Sequence, residues 1–382
     1  MDRTLFSDEH HQFRALARDF LRTHCVPHVE KWEANGAVPR DIWLKAGELG
    51  LLGWEAPPEL GGLGLTDYRY NAILAEECVE AGCGSLGSGL CLHNDTLAHY
   101  LLDLTTDEQK QRWLPGWSSG ALITAVAMTE PVAGSDLRAI RTTARRDGDT
   151  YIVNGSKTFN TNGILADLVV CAVKTDISAG HRGISLLVLE RGMDGFRRGR
   201  NLDKIGQKSA DTAELFFTDV RVPVANLLGE VNRGFYHLMR NLPAERLGIA
   251  IHAVAQSRRA LDLTKQYAAE RKAFGSPIGT FQVNRHAIAE MTVKLDIMQV
   301  YVDRCIEAVN AGELTAQEAA GAKLWTTETQ WEIIDRCLQM HGGYGYMNEF
   351  EIARLWRDSR VQRLYGGTSE IMRDLIGRSL GY

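Results

Sequence analysis

Residues 288–309 read IAEMTVKLDIMQVYVDRCIEAV and carry the most regular pattern in the chain. Their apolar side chains alternate in steps of three and four residues, which places them on one face of an α-helix. The members of this stripe are Ile288, Met291, Leu295, Met298, Val302, Cys305 and Val309. A similar stripe follows at Ala320, Leu324, Thr327, Trp331, Ile334 and Leu338. Two such stripes on consecutive helices predict an antiparallel helical bundle in the last part of the chain.

Upstream of this bundle, the apolar pattern is that of β-strands. Short runs rich in Val, Ile, Leu and Phe occur at 122–126, 150–153, 168–173, 184–189 and 214–217. Asp147-Gly148 and Asn154-Gly155 are typical of hairpin turns between them. Because no helical pattern of about ten residues alternates with these runs, we expect an antiparallel sheet, folded as a sandwich or a barrel.

The first part of the chain predicts helices instead. Phe6, Phe13, Leu16 or Ala17, and Phe20 recur at helical spacing after Ser7-Asp8-Glu9, which is typical of a helix start, and Pro27 interrupts the pattern. The whole order predicts an α+β chain of three domains. These are a helical domain at residues 1–120, a β domain at 121–229 and a helical bundle at 230–382.

Composition excludes several classes of protein. With 382 residues, 45% of them hydrophobic and 24% charged, the chain has the composition of a soluble globular protein. Its 43 Lys and Arg against 48 Asp and Glu leave a mildly acidic net charge of −5, and no basic cluster indicates nucleic-acid binding. No apolar run approaches the roughly 18 residues that a membrane span requires.

The cysteines and the N-terminus indicate where the protein resides. Seven cysteines without a C-x-x-C pair fit neither a zinc site nor a disulfide framework, and they favour a reduced interior. Residues 1–13 carry charges where a secretory signal needs an apolar stretch. We therefore expect a cytoplasmic protein.

Two apparent motifs are better explained as ordinary structure. Residues 82–87, GCGSLG, fit the dinucleotide pattern G-x-G-x-x-G, and Asp103 follows about 20 residues later. That pattern needs a strand before its first glycine, whereas residues 75–80 have a helical pattern, so we expect a loop between helices. His24 and His28 are separated by the helix breaker Pro27, and we expect no metal site.

Two segments are more specific when they are taken together. Residues 127–136 read AMTEPVAGSD, and residues 339–346 read QMHGGYGY, followed by Glu349, Arg354 and Asp358. In this order they resemble the two signature motifs of the acyl-CoA dehydrogenase family. Residues 157–163 (KTFNTNG), 270–275 (ERKAFG, then Phe281-Gln282) and 364–370 (LYGGTSE) are similar to further family segments, so the resemblance covers nearly the whole chain.

This resemblance implies a fold and a reaction. The family has an N-terminal α-helical domain, a middle antiparallel β-barrel and a C-terminal four-helix bundle, usually assembled as an FAD-binding homotetramer. Its members take a proton from the α-carbon of an acyl-CoA thioester and a hydride from the β-carbon, as in fatty acid β-oxidation. Such a site needs a carboxylate base, donors to the thioester carbonyl and a flavin held against the β-carbon. The electrons pass to an electron-transfer flavoprotein.

The resemblance also assigns flavin-binding residues. The isoalloxazine would be lined by Val126, Met128, Thr129, Ser135, Phe159 and Thr161. Phe159 replaces the usual Trp; taken alone, it could equally be a core residue of a strand. The adenosine and pyrophosphate end would be bound by Arg271, Phe274, Gln282, Gln339, Gly342 and Gly343, in the family partly from a neighbouring subunit. Thr368 and Glu370 follow in the C-terminal loop.

The catalytic base is assigned to a helix. Many relatives carry it directly after the Tyr of the C-terminal loop, where this chain has Gly366. A long-chain and isovaleryl-like branch carries it at the start of a bundle helix, and residues 241–247 (NLPAERL) are similar to that branch. We expect Pro243 and Glu245 in the first helical turn, with Glu245 as the base. Without the resemblance, Glu245 could be an ordinary first-turn acid.

The substrate would be contacted by Ser135, Arg246 and Gly366. The Gly366 N–H would donate to the thioester carbonyl, and the missing side chain would widen the pocket for a branched or long acyl chain. Two other functions stay open at this stage. One is a flavin-dependent oxidase or monooxygenase on the same fold, and the other is a catalytically silent subunit of a hetero-oligomer.

Overall fold

The computed structural model describes residues 3–382 and has the α, β, α order that the sequence predicts. The seven helices of the first part are α1 Asp8–Phe20, α2 Val29–Asn35, α3 Arg40–Glu48, α4 Arg69–Glu80, α5 Gly84–Cys91, α6 Leu97–Asp103 and α7 Asp107–Ser118. The helix start predicted at Ser7 is confirmed, since Ser7 occupies the N-cap of α1. Ala17, rather than the exposed Leu16, joins Phe20 in the core.

The glycine-rich segment 82–87 is not a loop throughout, contrary to our expectation. Its second half begins α5, which starts at Gly84. A Cβ on Gly87 would lie 2.7 Å from the Cβ of Cys78 in α4. The glycine therefore serves close helix packing, a tertiary contact that the local pattern does not reveal.

The middle region forms one sheet that is more mixed than predicted. Its strands are β1 Thr124–Ala127, β2 Thr143–Asp147, β3 Thr150–Thr161, β4 Leu168–Lys174, β5 Ile184–Glu190, β6 Phe196–Asn201, β7 Thr212–Pro223 and β8 Leu227–Leu228. They pair in the order β6-β7-β3-β2-β4-β5-β8, so the ladder is open at β6 and β8, and β1 pairs with β4. Most pairs are antiparallel, as expected.

The purely antiparallel expectation is wrong for two pairs, because β1 and β2 run parallel to β4. Parallel strands need a long connection that returns the chain to the end where the first strand began. Between β1 and β4, the segment that contains β2 and β3 provides this connection. The apolar pattern of the sequence does not predict strands β2 and β6, because their sequences, TARRD and FRRGRN, are polar and largely solvent-facing.

The last region is helical. Its helices are α8 Gly234–Glu270, α9 Gln282–Asn310, α10 Ala316–Met340, α11 Glu351–Ser359 and α12 Ser369–Ser379, and the short strands β9 Lys272–Ala273 and β10 Ser276–Pro277 form a hairpin after α8. Instead of four equivalent helices, three long ones are accompanied by two short ones. The apolar stripe predicted on α9 is buried from Met291 to Cys305, as expected.

The stripe predicted on α10 is confirmed in part, since Ala320, Thr327 and Ile334 are fully buried. Leu324, Trp331 and Leu338 are only half-buried, whereas Lys323, Thr326 and Gln330 lie in the fully buried face. Helix α10 packs against α8, α9, α11 and α12, so its interior face is wider than a two-helix seam.

The first and last helical regions share an apolar core. Ala72 and Ala75 of α4 pack in one cluster with Leu247 and Ile251 of α8 and with residues of α9 and α10. The boundaries at 120/121 and 229/230 remain predictions. Within residues 3–382, no helix combines the length and the apolar character that crossing a membrane requires.

Candidate active site

Glu245 is not in the first turn of its helix, which corrects the sequence-based expectation. Helix α8 begins at Gly234, so Pro243 lies inside it and Glu245 follows in its interior. The helix dipole acts mainly within the first turn and therefore does not stabilise this carboxylate. Residues 234–242 continue the helical pattern upstream of the proline, and Leu238 among them is fully buried.

The side chain of Glu245 faces the loop between α11 and α12. Its Oε1 lies 3.8 Å from the position that a Cβ on Gly366 would take. Arg246, which is buried, donates from Nε to the Gly366 carbonyl at 3.3 Å. The structure thus brings together Glu245, Arg246 and Gly366, three residues that the sequence analysis placed at the substrate.

A second cation completes this cluster and was not found from the sequence. Lys323 of α10 is fully buried and donates from Nζ to the Gly367 carbonyl at 2.6 Å. The signal that could have revealed it is a lysine among alanines and threonines on the buried face of α10. Buried lysines are rare unless they are paired, so such a position merits attention.

Burial and neighbouring charges set the pKa values of this cluster. Burial raises the pKa of Glu245 above its usual range, although Arg246 and Lys323 oppose this shift. Burial, reinforced by Arg246, lowers the pKa of Lys323 to about 8. Burial also lowers the pKa of Arg246, against the attraction of Glu245. A half-buried carboxylate with a raised pKa is suited to accepting a proton near neutral pH.

Gly366 does not widen the site, contrary to our expectation. A Cβ at this position would clash with Cδ1 of Ile249, which already fills the space. Its φ of 62° also lies in the left-handed region that glycine adopts without strain. Backbone conformation and packing against Ile249 therefore explain the glycine.

The C-terminal loop contributes no competing base. Thr368 caps α12 by accepting a hydrogen bond from the Ile371 N–H at 3.3 Å. The Glu370 side chain is 78% exposed and lies 3.7 Å from Arg373. Hydrogen bonds from its own backbone and from Thr368 lower the pKa of Glu370. An exposed carboxylate with a lowered pKa is a weak base.

The predicted isoalloxazine contacts lie on β1 and β3. Val126, Met128 and Thr129 are half-buried at the end of β1, Thr161 is half-buried at the end of β3, and Ser135 is exposed in the turn after β1. The Thr158 N–H donates to the Thr129 carbonyl at 2.9 Å and joins the two segments. Phe159 is 69% exposed, so its interpretation as a core residue is wrong.

The backbone at Phe159 is unusual for a strand. Its φ is 60°, and the pairing of β3 with β7 is interrupted between Lys157 and Asn160. Asn160 points inward and donates to the Ala213 carbonyl at 3.0 Å, while Phe159 points out. An exposed aromatic ring on a strained bulge is a suitable surface for stacking a flat ring.

A buried ion pair supports this surface. Lys157 donates from Nζ to Oε1 of Glu130 at 2.8 Å and to the Met128 carbonyl at 3.1 Å. Glu130 also accepts from the Thr142 N–H at 3.0 Å. This pair fixes the Met128 carbonyl next to Thr129, and the sequence analysis did not single it out.

Only some of the residues predicted to bind the adenosine end of FAD lie together in the structure. Arg271, Gly342 and Gly343 line one open cavity of about 520 Å³, together with Tyr267, Ile278, Met340, His341, Tyr344 and Met347. Phe274 is 98% exposed, and Gln282 and Gln339 are also exposed, outside this lining. Glycines next to an arginine allow phosphate oxygens to approach backbone and guanidinium together, so this cavity offers a place for a pyrophosphate group.

Comparison with known proteins gives one consistent result. Residues 7–121, 125–220 and 232–381 match the family models "Acyl-CoA dehydrogenase, N-terminal domain", "middle domain" and "C-terminal domain". The chain is 44% identical over 380 residues to the mitochondrial long-chain specific acyl-CoA dehydrogenase of Sus scrofa, covering 99% of this chain and 88% of that protein. It is 37% identical to the mitochondrial isovaleryl-CoA dehydrogenase of Solanum tuberosum, over 98% of this chain and 91% of that protein. A crystal structure of acyl-CoA dehydrogenase from Geobacillus kaustophilus superposes with a TM-score of 0.97 at 48% identity, covering 100% of both chains.

Proposed function

The chain belongs to the acyl-CoA dehydrogenase family, and on this basis we propose that Glu245 is the base of its reaction. As a family member it is an FAD-dependent oxidoreductase that acts on the CH–CH group of an acyl-CoA and yields the 2-enoyl-CoA. The observation that carries the proposal is a half-buried carboxylate with a raised pKa, in contact range of Gly366 and beside Arg246 and Lys323.

The residues around Glu245 have different roles in this proposal. The Glu245 carboxylate takes the α-proton of the thioester, and the Gly366 N–H donates to the thioester carbonyl so that the α-carbon becomes more acidic. Arg246 and Lys323 hold the carbonyl groups of Gly366 and Gly367, which fixes the loop that presents this N–H. Bound FAD supplies the acceptor for the hydride from the β-carbon.

The chain offers two surfaces for FAD. Phe159, Thr129 and the end of β1 would hold the isoalloxazine, and the cavity of Arg271, Gly342 and Gly343 would hold the adenosine and pyrophosphate end. Phe274, Gln282, Gln339, Thr368 and Glu370 stay assigned to the cofactor by resemblance. Because several of these are exposed, they are free to meet a cofactor held by a second copy of the chain.

We further propose an electron-transfer flavoprotein as acceptor, a homotetrameric assembly and a cytoplasmic location. The acceptor and the assembly are typical of the family. The location is supported by seven cysteines that are all buried free thiols. Relatives named for long-chain and isovaleryl substrates favour a long or branched acyl chain. A panel of acyl-CoAs assayed by anaerobic flavin bleaching tests this substrate preference. A strict preference for butyryl-CoA would contradict the proposed long or branched acyl chain.

Replacing Glu245 by Gln tests the base directly. The amide keeps the size and hydrogen bonding of the carboxylate, so FAD and acyl-CoA should still bind. Loss of a general base costs about 10²–10⁴-fold, so flavin reduction in a single turnover should nearly vanish. The spectral shift caused by acyl-CoA binding should remain. Reduction within about tenfold of wild type would place the base elsewhere.

A further inference from the structure

A group of buried and half-buried polar side chains lies beside α8, around the start of α4 and the turn that precedes α6. We name Glu55, Tyr68, Asn71 and Asp95 the polar cluster. Tyr68 and Asn71 flank the start of α4 one turn apart, and Asp95 lies in the π-helical turn that precedes α6. Tyr68, Asn71 and Asp95 are each at most 5% exposed.

Asp95 is held against the same helix that carries the base. Its Oδ2 accepts from the Tyr68 hydroxyl at 2.7 Å, and this hydroxyl lies 3.1 Å from the Ala244 carbonyl, immediately before Glu245. A Cβ on Gly248 would lie 2.6 Å from Oδ2 of Asp95. The glycine therefore leaves the room that this carboxyl occupies.

The contact with Gly248 places Asp95 against the part of α8 that carries Glu245. Gly248 and Glu245 are three residues apart in α8, so they lie on adjoining parts of one helix face, within about one turn or ~5.4 Å. Ile249, on the same face, packs against the Gly366 loop. An acyl chain that ran along this face, with its α-carbon at Glu245, would bring the carbons beyond its β-carbon toward Asp95.

The polar cluster has hydrogen-bonding capacity to spare. Within residues 3–382, neither Oδ1 of Asp95 nor Oδ1 of Asn71 has a hydrogen-bond partner, although both atoms are buried. The Asn71 amide nitrogen reaches Glu55 at 3.5 Å. A purely structural polar group in the interior is usually satisfied by its neighbours, since an unpaired one costs free energy.

The protonation of the cluster defines what it can bind. Burial raises the pKa of Asp95 well above its usual range. The hydrogen bond from Tyr68 opposes this shift, and the charges of Glu55 and Glu245 reinforce it. Burial raises the pKa of Glu55 to about 7. A neutral Asp95 carboxyl can donate a hydrogen bond, and the Asn71 oxygen can accept one. A hydroxyl group is the substituent that satisfies both roles.

We propose that Asp95 and Asn71 form a specificity site for an acyl chain that carries a hydroxyl group beyond its β-carbon. The proposal rests on the assignment of Glu245 as the base, since that residue fixes where the α-carbon lies. A site built to hydrogen-bond a substrate hydroxyl discriminates strongly against the analogue that lacks it, because its own polar groups are then left unpaired. An unsubstituted chain would therefore be the poorer substrate.

The experiment compares hexanoyl-CoA with 4-hydroxyhexanoyl-CoA and 5-hydroxyhexanoyl-CoA on the FAD-loaded enzyme. Anaerobic flavin reduction gives kcat/KM for each thioester. We expect one hydroxylated substrate to exceed hexanoyl-CoA by at least tenfold. In Asp95→Leu the ratio of the two kcat/KM values should fall at least tenfold. Asp95→Asn keeps the hydrogen-bonding shape and serves as the matched variant if Asp95→Leu does not retain FAD; it should keep part of the preference.

The outcomes separate this proposal from the assignment of the base. A wild-type enzyme without preference for either hydroxylated chain overturns the specificity site. An Asp95→Leu variant that slows all substrates by the same factor overturns it as well, because Asp95 would then only position Glu245. If no acyl-CoA reduces the flavin, the proposed function itself fails. If hexanoyl-CoA reduces it but both hydroxylated chains do not, only the specificity site fails.

Discussion

Lys323 links the chemistry of the site to pH. Its ammonium group is buried and holds the Gly367 carbonyl, while burial and Arg246 lower its pKa to about 8. The charged form therefore predominates below about pH 8 and is lost above it. Glu245 limits the reaction at low pH, because its protonated form cannot accept a proton. Since its pKa is raised, this loss begins at a higher pH than for an ordinary glutamate.

These two groups predict a bell-shaped pH dependence of the flavin reduction rate. The acid limb belongs to Glu245, and the alkaline limb, near pH 8, belongs to Lys323. Lys323→Arg should move the alkaline limb to higher pH, since guanidinium stays charged. Lys323→Met should lower the rate at all pH values, because the loop carbonyl loses its donor. Single-turnover rates from pH 6 to pH 10 measure this, and an unmoved alkaline limb in Lys323→Arg assigns it to another group.

The bulge of β3 holds Phe159 in a strained backbone conformation and thereby exposes its ring for ligand contact. A non-glycine residue in the left-handed region costs roughly 1–2 kcal/mol, and Phe159 has a φ of 60° there. Phe159→Gly should therefore stabilise the FAD-free protein by about 1 kcal/mol and weaken FAD binding. Phe159→Leu keeps the strain but removes the ring, so it should weaken FAD binding without the gain in stability.

Apo-protein unfolding and FAD titration provide the two readouts for the bulge. Unchanged FAD affinity in both variants would show that Phe159 does not contact the cofactor. A loss of stability in Phe159→Gly would show that the ring packs in the folded protein despite its exposure.

The ion pair of Lys157 with Glu130 connects β3 to the end of β1. Both side chains are buried, and removing one partner of such a pair leaves an uncompensated charge that costs about 3–5 kcal/mol. Lys157→Met should therefore destabilise the protein by this amount and release FAD, since the Met128 backbone loses its anchor. Adding Glu130→Gln should recover part of the stability. Denaturant unfolding measures both, and a double variant no more stable than Lys157→Met would refute the pairing argument.

FAD binding and the assembly of several chains should be linked in this protein. Arg271 lines the cavity after α8 with Gly342 and Gly343, while Phe274 projects from the following hairpin with 98% of its surface exposed. The exposed ring of Phe274 is therefore free to contact a second copy of the chain, as the family resemblance implies for this end of the cofactor. A closed symmetric assembly is the usual outcome for such contacts.

Arg271→Ala tests this link. The variant should lose FAD and fall apart into smaller species together, whereas the wild type should be a tetramer with about one FAD per chain. Light scattering and the flavin absorbance of the same sample give both quantities. A stable monomer that keeps FAD tightly would contradict the link. Arg285, on the exposed side of α9, offers a matched arginine whose replacement should leave both quantities unchanged.

Much of this architecture follows from the sequence alone. The helix of residues 288–309, the start of α1 at Ser7 and the main strands are predicted because their apolar periods are strong and local. The order of helices, strands and helices follows from these periods. The family resemblance depends on short segments with fixed spacing, and it led to Glu245, Arg246 and Gly366, which the fold brings together.

Only the tertiary structure decided what surrounds those residues. Helix α8 extends upstream of Pro243, so burial rather than a helix dipole sets the pKa of Glu245. Lys323 reaches the Gly367 carbonyl, and Ile249 fills the space beside Gly366. Asp95 meets Gly248 although they are far apart in the chain. Such contacts join elements that are distant in sequence, and local periodicity holds no information about which side chain a neighbouring element will present.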